Sequence, residues 1–188
     1  MAEIKSICIY CGSQNGNNGV FKEAAHKLGQ SIAQAEISLV YGGGNSGVMG
    51  AISSSVLENG GRVKGIIPRF LLSHEGSHHT HTSNYELTVT ENMHDRKRLM
   101  FESSDAFLAL PGGIGTLEEI VEIMTWAQLG QHNKPIGFLN IDGFWQPMLE
   151  LMEHMSAAGF IHASKLINPL IIDDPELVVK SFRAGEQG

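Results

Sequence analysis

Glycines, a threonine and two glutamates crowd into Pro111-Gly-Gly-Ile-Gly-Thr-Leu-Glu-Glu119. A glycine-rich turn that opens a helix exposes backbone N–H groups at the helix's positive end, an arrangement suited to phosphate. Glu119 stands about one helical turn from that phosphate. Phosphate plus carboxylate points to chemistry on a nucleotide and not to storage of an anion. Glu118 competes for the acidic role, and helix geometry alone does not choose between the two. A purely structural job is also on offer: Thr116-Leu-Glu-Glu119 fits a capping box, with Thr116 as N-cap and Glu119 at N3. Two features favour chemistry. Gly113 and Gly115 strip side chains from the approach, which a cap does not require. The turn also follows the apolar run Asp105–Leu110, the position where α/β proteins place ligands.

The second element is Asn92-Met-His-Asp-Arg-Lys-Arg98. Asn92 is a capping residue for a helix that Met93, Leu99 and Met100 line with apolar side chains. Arg96-Lys97-Arg98 is the densest positive charge in an otherwise acidic chain. It reads either as a solvated helical face or as a clamp on phosphate or a leaving group. His74, His78, His79 and His81 share one segment but show no ligand spacing, so no metal is expected. Cys8-Ile-Tyr-Cys11 has redox spacing, yet Cys8 lies inside a strand-like run, not at a helix start where its pKa would fall. Packing is the better account of both cysteines.

These residues need a scaffold. Apolar strand-like runs at Ser6–Tyr10, Ser38–Tyr41, Val63–Ile67, Ala106–Leu110, Ile136–Asn140 and Leu170–Ile172 alternate with helical stretches. The helices are expected at Val20–Ala35, Gly47–Asn59, Met93–Ser103, Leu117–Leu129, Phe144–Ala158 and Pro175–Arg183. Strands apolar on both faces imply a parallel sheet covered on each side by helices. The segment from Phe70 to Thr90 is polar, His-rich and without periodicity, and is expected to be a long surface loop. Ligands in such a sheet sit outside the carboxyl ends of the strands. Three loops qualify: Cys11-Gly-Ser13, Gly42–Gly50 and Pro111–Thr116. None matches a Walker A sequence or a dinucleotide fingerprint, so no cofactor is expected.

The 188 residues suit one domain spanning the whole chain, 42% hydrophobic and 18% charged. A net charge of −7 argues against nucleic acid or an anionic membrane as partner. No apolar run approaches the roughly 18 residues of a membrane span, and the N-terminus lacks a signal-peptide pattern. A cytoplasmic location is expected.

The segment Pro111–Glu119, with Met93-His-Asp-Arg-Lys97 upstream, resembles the paired signature of the LOG ("lonely guy") phosphoribohydrolases, which activate cytokinins by cleaving ribose 5′-monophosphate from the base. The resemblance extends through Cys11–Ser13, Val40–Gly50, Gly65–Pro68, Thr125–Gly130, Lys134–Gly137 and Asn140–Gly143. It implies a Rossmann-like doubly wound fold, a homodimer, and Arg96 and Glu119 as the catalytic pair. It further implies that Lys97, Gly113, Ile114, Gly115, Thr116 and Thr125 bind the nucleoside 5′-monophosphate, with Glu75 matched beside the inserted Ser77–His81. Ser13 and Gly43, in the first two loops, join the nucleotide-binding candidates. At about 100° per residue, Thr125 lies roughly 120° around the helix from Glu119, so Thr125 is assigned to a partner subunit's site. Two rival readings use the same residues: a nucleotide carrier or sensor in which Glu119 is only a cap, and a broad nucleoside-monophosphate hydrolase acting on AMP.

Overall fold

A computed structural model describes residues 3–17, 19–75, 83–161 and 167–184. Its strands are β1 (Ser6–Tyr10), β2 (Ser38–Tyr41), β3 (Val63–Pro68), β4 (Tyr85–Thr90), β5 (Ala106–Ala109), β6 (Ile136–Leu139) and β7 (Leu170–Ile172). They form one sheet in the order β4-β3-β2-β1-β5-β6-β7, with every neighbouring pair parallel. Parallel pairing demands a crossover between successive strands. The helices α1 (Val20–Gln34), α2 (Gly47–Glu58), α3 (Leu72–Glu75), α4 (Met93–Glu102), α5 (Ile114–Gln128), α6 (Gln146–Ala157) and α7 (Val178–Ala184) lie along those connections and the C-terminal end. One hydrophobic cluster joins Leu28, Ile32, Ile52, Val56 and Phe182 on one face of the sheet. The other joins Met100, Ile120, Ile123 and Trp145 on the opposite face. The expected doubly wound, Rossmann-like architecture is therefore present.

The chain runs outward from β1 to β4, then returns to place β5 on the other side of β1. Connections leaving β1 and β5 diverge to opposite faces, and a crevice opens between them at the strands' carboxyl ends. The other end of this strand pair is pinned by Asp105. Its Oδ2 accepts from Lys5 N at 2.9 Å, Ser6 N at 2.9 Å and Ser6 Oγ at 2.8 Å.

The expected helices and strands fall within a few residues of the observed ones, with one exception. Instead of a long loop, Phe70–Thr90 contains the end of a 3-10 turn (Arg69–Leu71), α3 and the strand β4. β4 is an edge strand, half exposed, with Val89 in solvent. The sheet holds it through its pairing with β3, so it lacks the continuous apolar run that marks the inner strands. Ser77–His81 lies outside the described residues, as do the side chains of His74 and Glu75. Among the described residues, no helix is long and apolar enough to cross a membrane.

α1 and α2 touch at Gly29. A Cβ there would lie 2.6 Å from Ser55 Cβ, and Ser55 Oγ donates to His26 O at 2.6 Å across the same contact. Alanine is intrinsically the better helix former by about 1 kcal/mol, whereas overpacking costs about 1–3 kcal/mol. The clash is against groups that cannot swing away, so overpacking should win. Gly29→Ala is expected to lower the unfolding free energy by roughly 1–2 kcal/mol in urea titration.

Candidate active site

The crevice at the switch point is a cleft of about 390 Å³. Ile9 to Ser13 follow β1 into its wall, Gly42 comes from the end of β2, and Met49 from the start of α2. Met93 and Arg96 of α4 form one side, Leu71 contributes from the 3-10 turn, and Gly113–Thr116, Glu118 and Glu119 of α5 form the other. The sequence loops after the strands thus converge as expected.

Backbone contacts stitch these loops together. Gly12 N donates to Pro111 O at 3.1 Å, and Met49 N donates to Gly12 O at 3.1 Å. Side chains are excluded where the loops meet: a Cβ on Gly112 would overlap the Thr116 hydroxyl, and one on Gly47 (φ +62°) would overlap the Ser13 carbonyl. Gly113 and Gly115 differ, since a Cβ on either would meet nothing within 4 Å. Their lack of side chains is not demanded by packing; it leaves the mouth of the cleft bare.

α5 begins at Ile114 with Gly113 as N-cap, not at Leu117 with Thr116 as N-cap. The expected capping box therefore does not form. The extended backbone of Gly113 (φ −95°, ψ −158°) starts the helix one turn early and carries Glu119 into the second turn. The first backbone bond runs from Leu117 N to Gly113 O at 3.0 Å. The amides of Ile114, Gly115 and Thr116 precede it and have no acceptor within the helix. They are the exposed helix-start amides anticipated from the glycines, an arrangement that suits an anion.

Freed from capping, Glu119 turns toward α4, where its Oε1 lies 3.3 Å from Arg96 Nη1. Both residues are deeply buried, Glu119 at 8% exposure and Arg96 at 7%. Arg96 is aimed by carbonyls: Nε donates to Ile66 O at 3.2 Å, and Nη2 to Gly42 O at 3.5 Å. Its Nη1 also approaches Met93 Sδ at 3.8 Å. A Cβ on Gly42 would overlap the guanidinium, so the glycine is what lets Arg96 reach its seat. α4 itself starts as anticipated, with Asn92 Oδ1 accepting from Asp95 N at 2.9 Å.

Burial pushes the Glu119 carboxyl above the usual carboxylate range, and the Arg96 charge pulls the other way. Tyr10, buried in the cleft wall, is likewise pushed well up by burial and keeps its proton. Burial raises Cys8 to about 12 and raises Cys11 as well. Both thiols are free, and both are shifted away from the reactivity that redox cysteines need. Among the described residues, no group of three or more His, Cys, Asp or Glu gathers as a metal site.

Of the site residues named from sequence, Ser13, Arg96, Gly113, Ile114, Gly115, Thr116 and Glu119 line the cleft. Gly43 is buried beside it in the left-handed region (φ +76°), acting through the turn it permits. Lys97 does not line the cleft; its Nζ sits 2.6 Å from Glu118 and 3.1 Å from Glu122. Thr125 is exposed on α5, donating to Val121 O at 2.8 Å, away from this cleft. Glu75 ends α3, and its side chain is outside the described residues. Sequence reasoning missed Tyr10, Met93 and Leu71 as lining residues, while Met49 falls in the expected Gly42–Gly50 loop. A strand end would have marked Tyr10 and a helix's first turn Met93; Leu71 carried no signal.

A crevice at the switch point, with bare amides at the start of α5 and a buried Arg96–Glu119 pair joining its two walls, defines the class: a doubly wound α/β protein whose cleft lies where such folds take ligands. A family model described as "Possible lysine decarboxylase" matches residues 49–182. The probable cytokinin riboside 5′-monophosphate phosphoribohydrolase LOGL1 of Oryza sativa subsp. japonica is 49% identical over 157 residues, covering 84% of this chain and 69% of its own. The cytokinin riboside 5′-monophosphate phosphoribohydrolase of Rhodococcoides fascians is 40% identical over 181 residues, covering 96% and 90%. The chain belongs to the LOG family. Among solved structures, the molybdenum cofactor binding protein of Rippkaea orientalis superposes with a TM-score of 0.71 at 24% identity, covering 99% of each chain. At that identity the likeness is one of fold. The decarboxylase description finds no lysine among the cleft-lining residues to support it.

The raised Glu119 pKa has a consequence for stability. The fold favours the protonated acid, so that contribution is complete below the ordinary carboxylate pKa and is lost as pH rises through the raised value. Glu119→Gln should escape this loss. Its unfolding free energy is expected to exceed that of the wild type near neutrality, and the gap should close at about pH 4; denaturant titrations at both pH values check it.

Proposed function

We propose that the chain hydrolyses the N-glycosidic bond of a nucleoside 5′-monophosphate of the cytokinin riboside type, releasing free base and ribose 5-phosphate. The observation that carries this reading is the buried Arg96–Glu119 pair, which joins α4 to α5 in a cleft that the amide-bearing start of α5 also lines. The 5′-phosphate sits on the amides of Ile114, Gly115 and Thr116, with Ser13 across the crevice. Anchored there, the phosphate positions the anomeric carbon without itself reacting.

Breaking the C–N bond leaves its electron pair on the base and positive charge on the ribose ring. Glu119 stabilises that charge as a carboxylate. Its partial desolvation makes it a stronger base than a solvated glutamate, so it also suits activation of the water that adds to the anomeric carbon. Arg96 keeps Glu119 from being held fully neutral, and its fixed guanidinium orients the nucleotide and the departing base. The water's oxygen ends on ribose 5-phosphate, and a proton ends on the base.

The test is incubation of the chain with AMP and with isopentenyl-adenosine monophosphate, followed by chromatography of the products. Free base from the prenylated nucleotide supports the reading. Base from AMP alone makes the chain a broad nucleotide hydrolase, and absence of base from both leaves only a binding protein. Glu119→Gln is expected to bind nucleotide yet lose turnover roughly 10²- to 10⁴-fold. Unchanged release of base by that variant removes Glu119 from the chemistry.

The site is also proposed to be shared in a homodimer. α5 carries an apolar stripe on its solvent face, with Ile114 81% and Leu129 63% exposed and Val121 between them. Thr125 lies within this stripe, one turn from both Val121 and Leu129. A second subunit covering it would bring Thr125 to that subunit's nucleotide. The wild-type chain should be dimeric by light scattering, and Val121→Glu with Leu129→Glu should yield a monomer that no longer releases base. A fully active monomer would remove the shared site.

A further inference from the structure

Resemblance assigns Lys97 to the nucleotide, yet the lysine is held elsewhere. Its ammonium lies between Glu118 of α5 at 2.6 Å and Glu122, one turn on, at 3.1 Å. Its side chain is 13% exposed, while that of Glu118 is 51% exposed. Of these three residues only Glu118 lines the cleft. A carboxylate thus lines the cleft proposed for a phosphate dianion, and would repel that dianion unless neutralised.

We propose that Glu118 is a specificity residue of the nucleotide site: it holds Lys97 while the cleft is empty and yields the lysine to the phosphate of an entering nucleotide. This rests on the nucleotide reading above. Glu122 keeps its contact throughout, so the ammonium is never left without a partner in a partly buried position. The exchange replaces a monoanion by a dianion at Lys97, and the released Glu118 turns a half-exposed carboxylate to water at little cost. A neutral nucleoside offers no such replacement, so the Glu118–Lys97 bond stays closed against it. Lys97 suits this task because its charge is a compact point on a flexible four-carbon stem. It also stays protonated: burial lowers its pKa, but the bonds to Glu118 and Glu122 outweigh that and raise it.

Calorimetric titration of the full chain with AMP and with adenosine tests this, in the Glu119→Gln background to stop turnover. Adding Glu118→Gln is expected to tighten AMP binding roughly fivefold, in line with the worth of a part-exposed ion pair, and to leave adenosine unchanged. The gain should vanish when Lys97→Met is also present, because the two residues then no longer exchange partners. AMP affinity that is unchanged or weakened by Glu118→Gln overturns the proposal. A gain that survives intact without Lys97 also overturns it, reducing Glu118 to simple repulsion. If the chain without the Glu118 substitution binds no AMP, the nucleotide reading itself fails, a result distinct from either of these.

Discussion

Burying one opposite-charge pair, Arg96 and Glu119, is the constraint around which this molecule is arranged. Taking two charges out of water costs several kcal/mol per ion, and their attraction repays it only when the remaining hydrogen-bonding capacity is met. Arg96 meets it with main-chain carbonyls, Ile66 near the end of β3 and Gly42 just past β2. Those carbonyls are available because parallel strands end together on one edge, and there the ladder no longer claims every acceptor. Glu119 is desolvated by burial, and that shifts its carboxyl upward in spite of the guanidinium 3.3 Å away. The pair is therefore not an optimised stabilising contact. It is held in place by the surrounding fold.

The glycines follow from the same constraint. Arg96 reaches its seat only because Gly42 has no side chain. The loops after β1 and β5 approach closely enough to share the Gly12–Pro111 hydrogen bond only because Gly12 and Gly112 face each other. Gly113 and Gly115 belong to a different group, with open space where a side chain would go. Packing thus separates glycines that assemble the crevice from glycines that keep it open. A single glycine-rich motif hides that distinction.

Much of this arrangement is legible in the residues alone. Alternation of apolar runs and helical stretches leads to the doubly wound sheet, and the loops after β1, β2 and β5 read as one crevice. What is not legible depends on contacts between distant segments. β4 escapes because an edge strand of mixed polarity is stabilised by its pairing with β3, not by a local pattern. The capping box misleads because Thr116-Leu-Glu-Glu119 satisfies the pattern equally well whether the helix starts at Thr116 or at Gly113. The extended backbone of Gly113 sets the start at Ile114. Lys97 looks like part of a basic cluster aimed at phosphate; its pairing with Glu118 and Glu122 joins α4 to α5, and no spacing within either helix reveals it.

Electrostatics then explains why the cleft is built from short-range donors. At a net charge of −7 the chain's long-range field opposes an incoming phosphate, so steering over distance works against binding. Attraction must come from groups that act within a few ångströms and are little screened: backbone amides at a helix start and a guanidinium desolvated by burial. Such groups add no net charge that would draw unrelated polyanions, because the amides carry only partial charge and Arg96 is already matched by Glu119. A basic patch would bind phosphate more strongly but would also bind any phosphate. Under the proposed function, the buried pair and the bare helix start would together accept an anion only when it is small enough to enter the crevice, with its sugar carried beside Glu119.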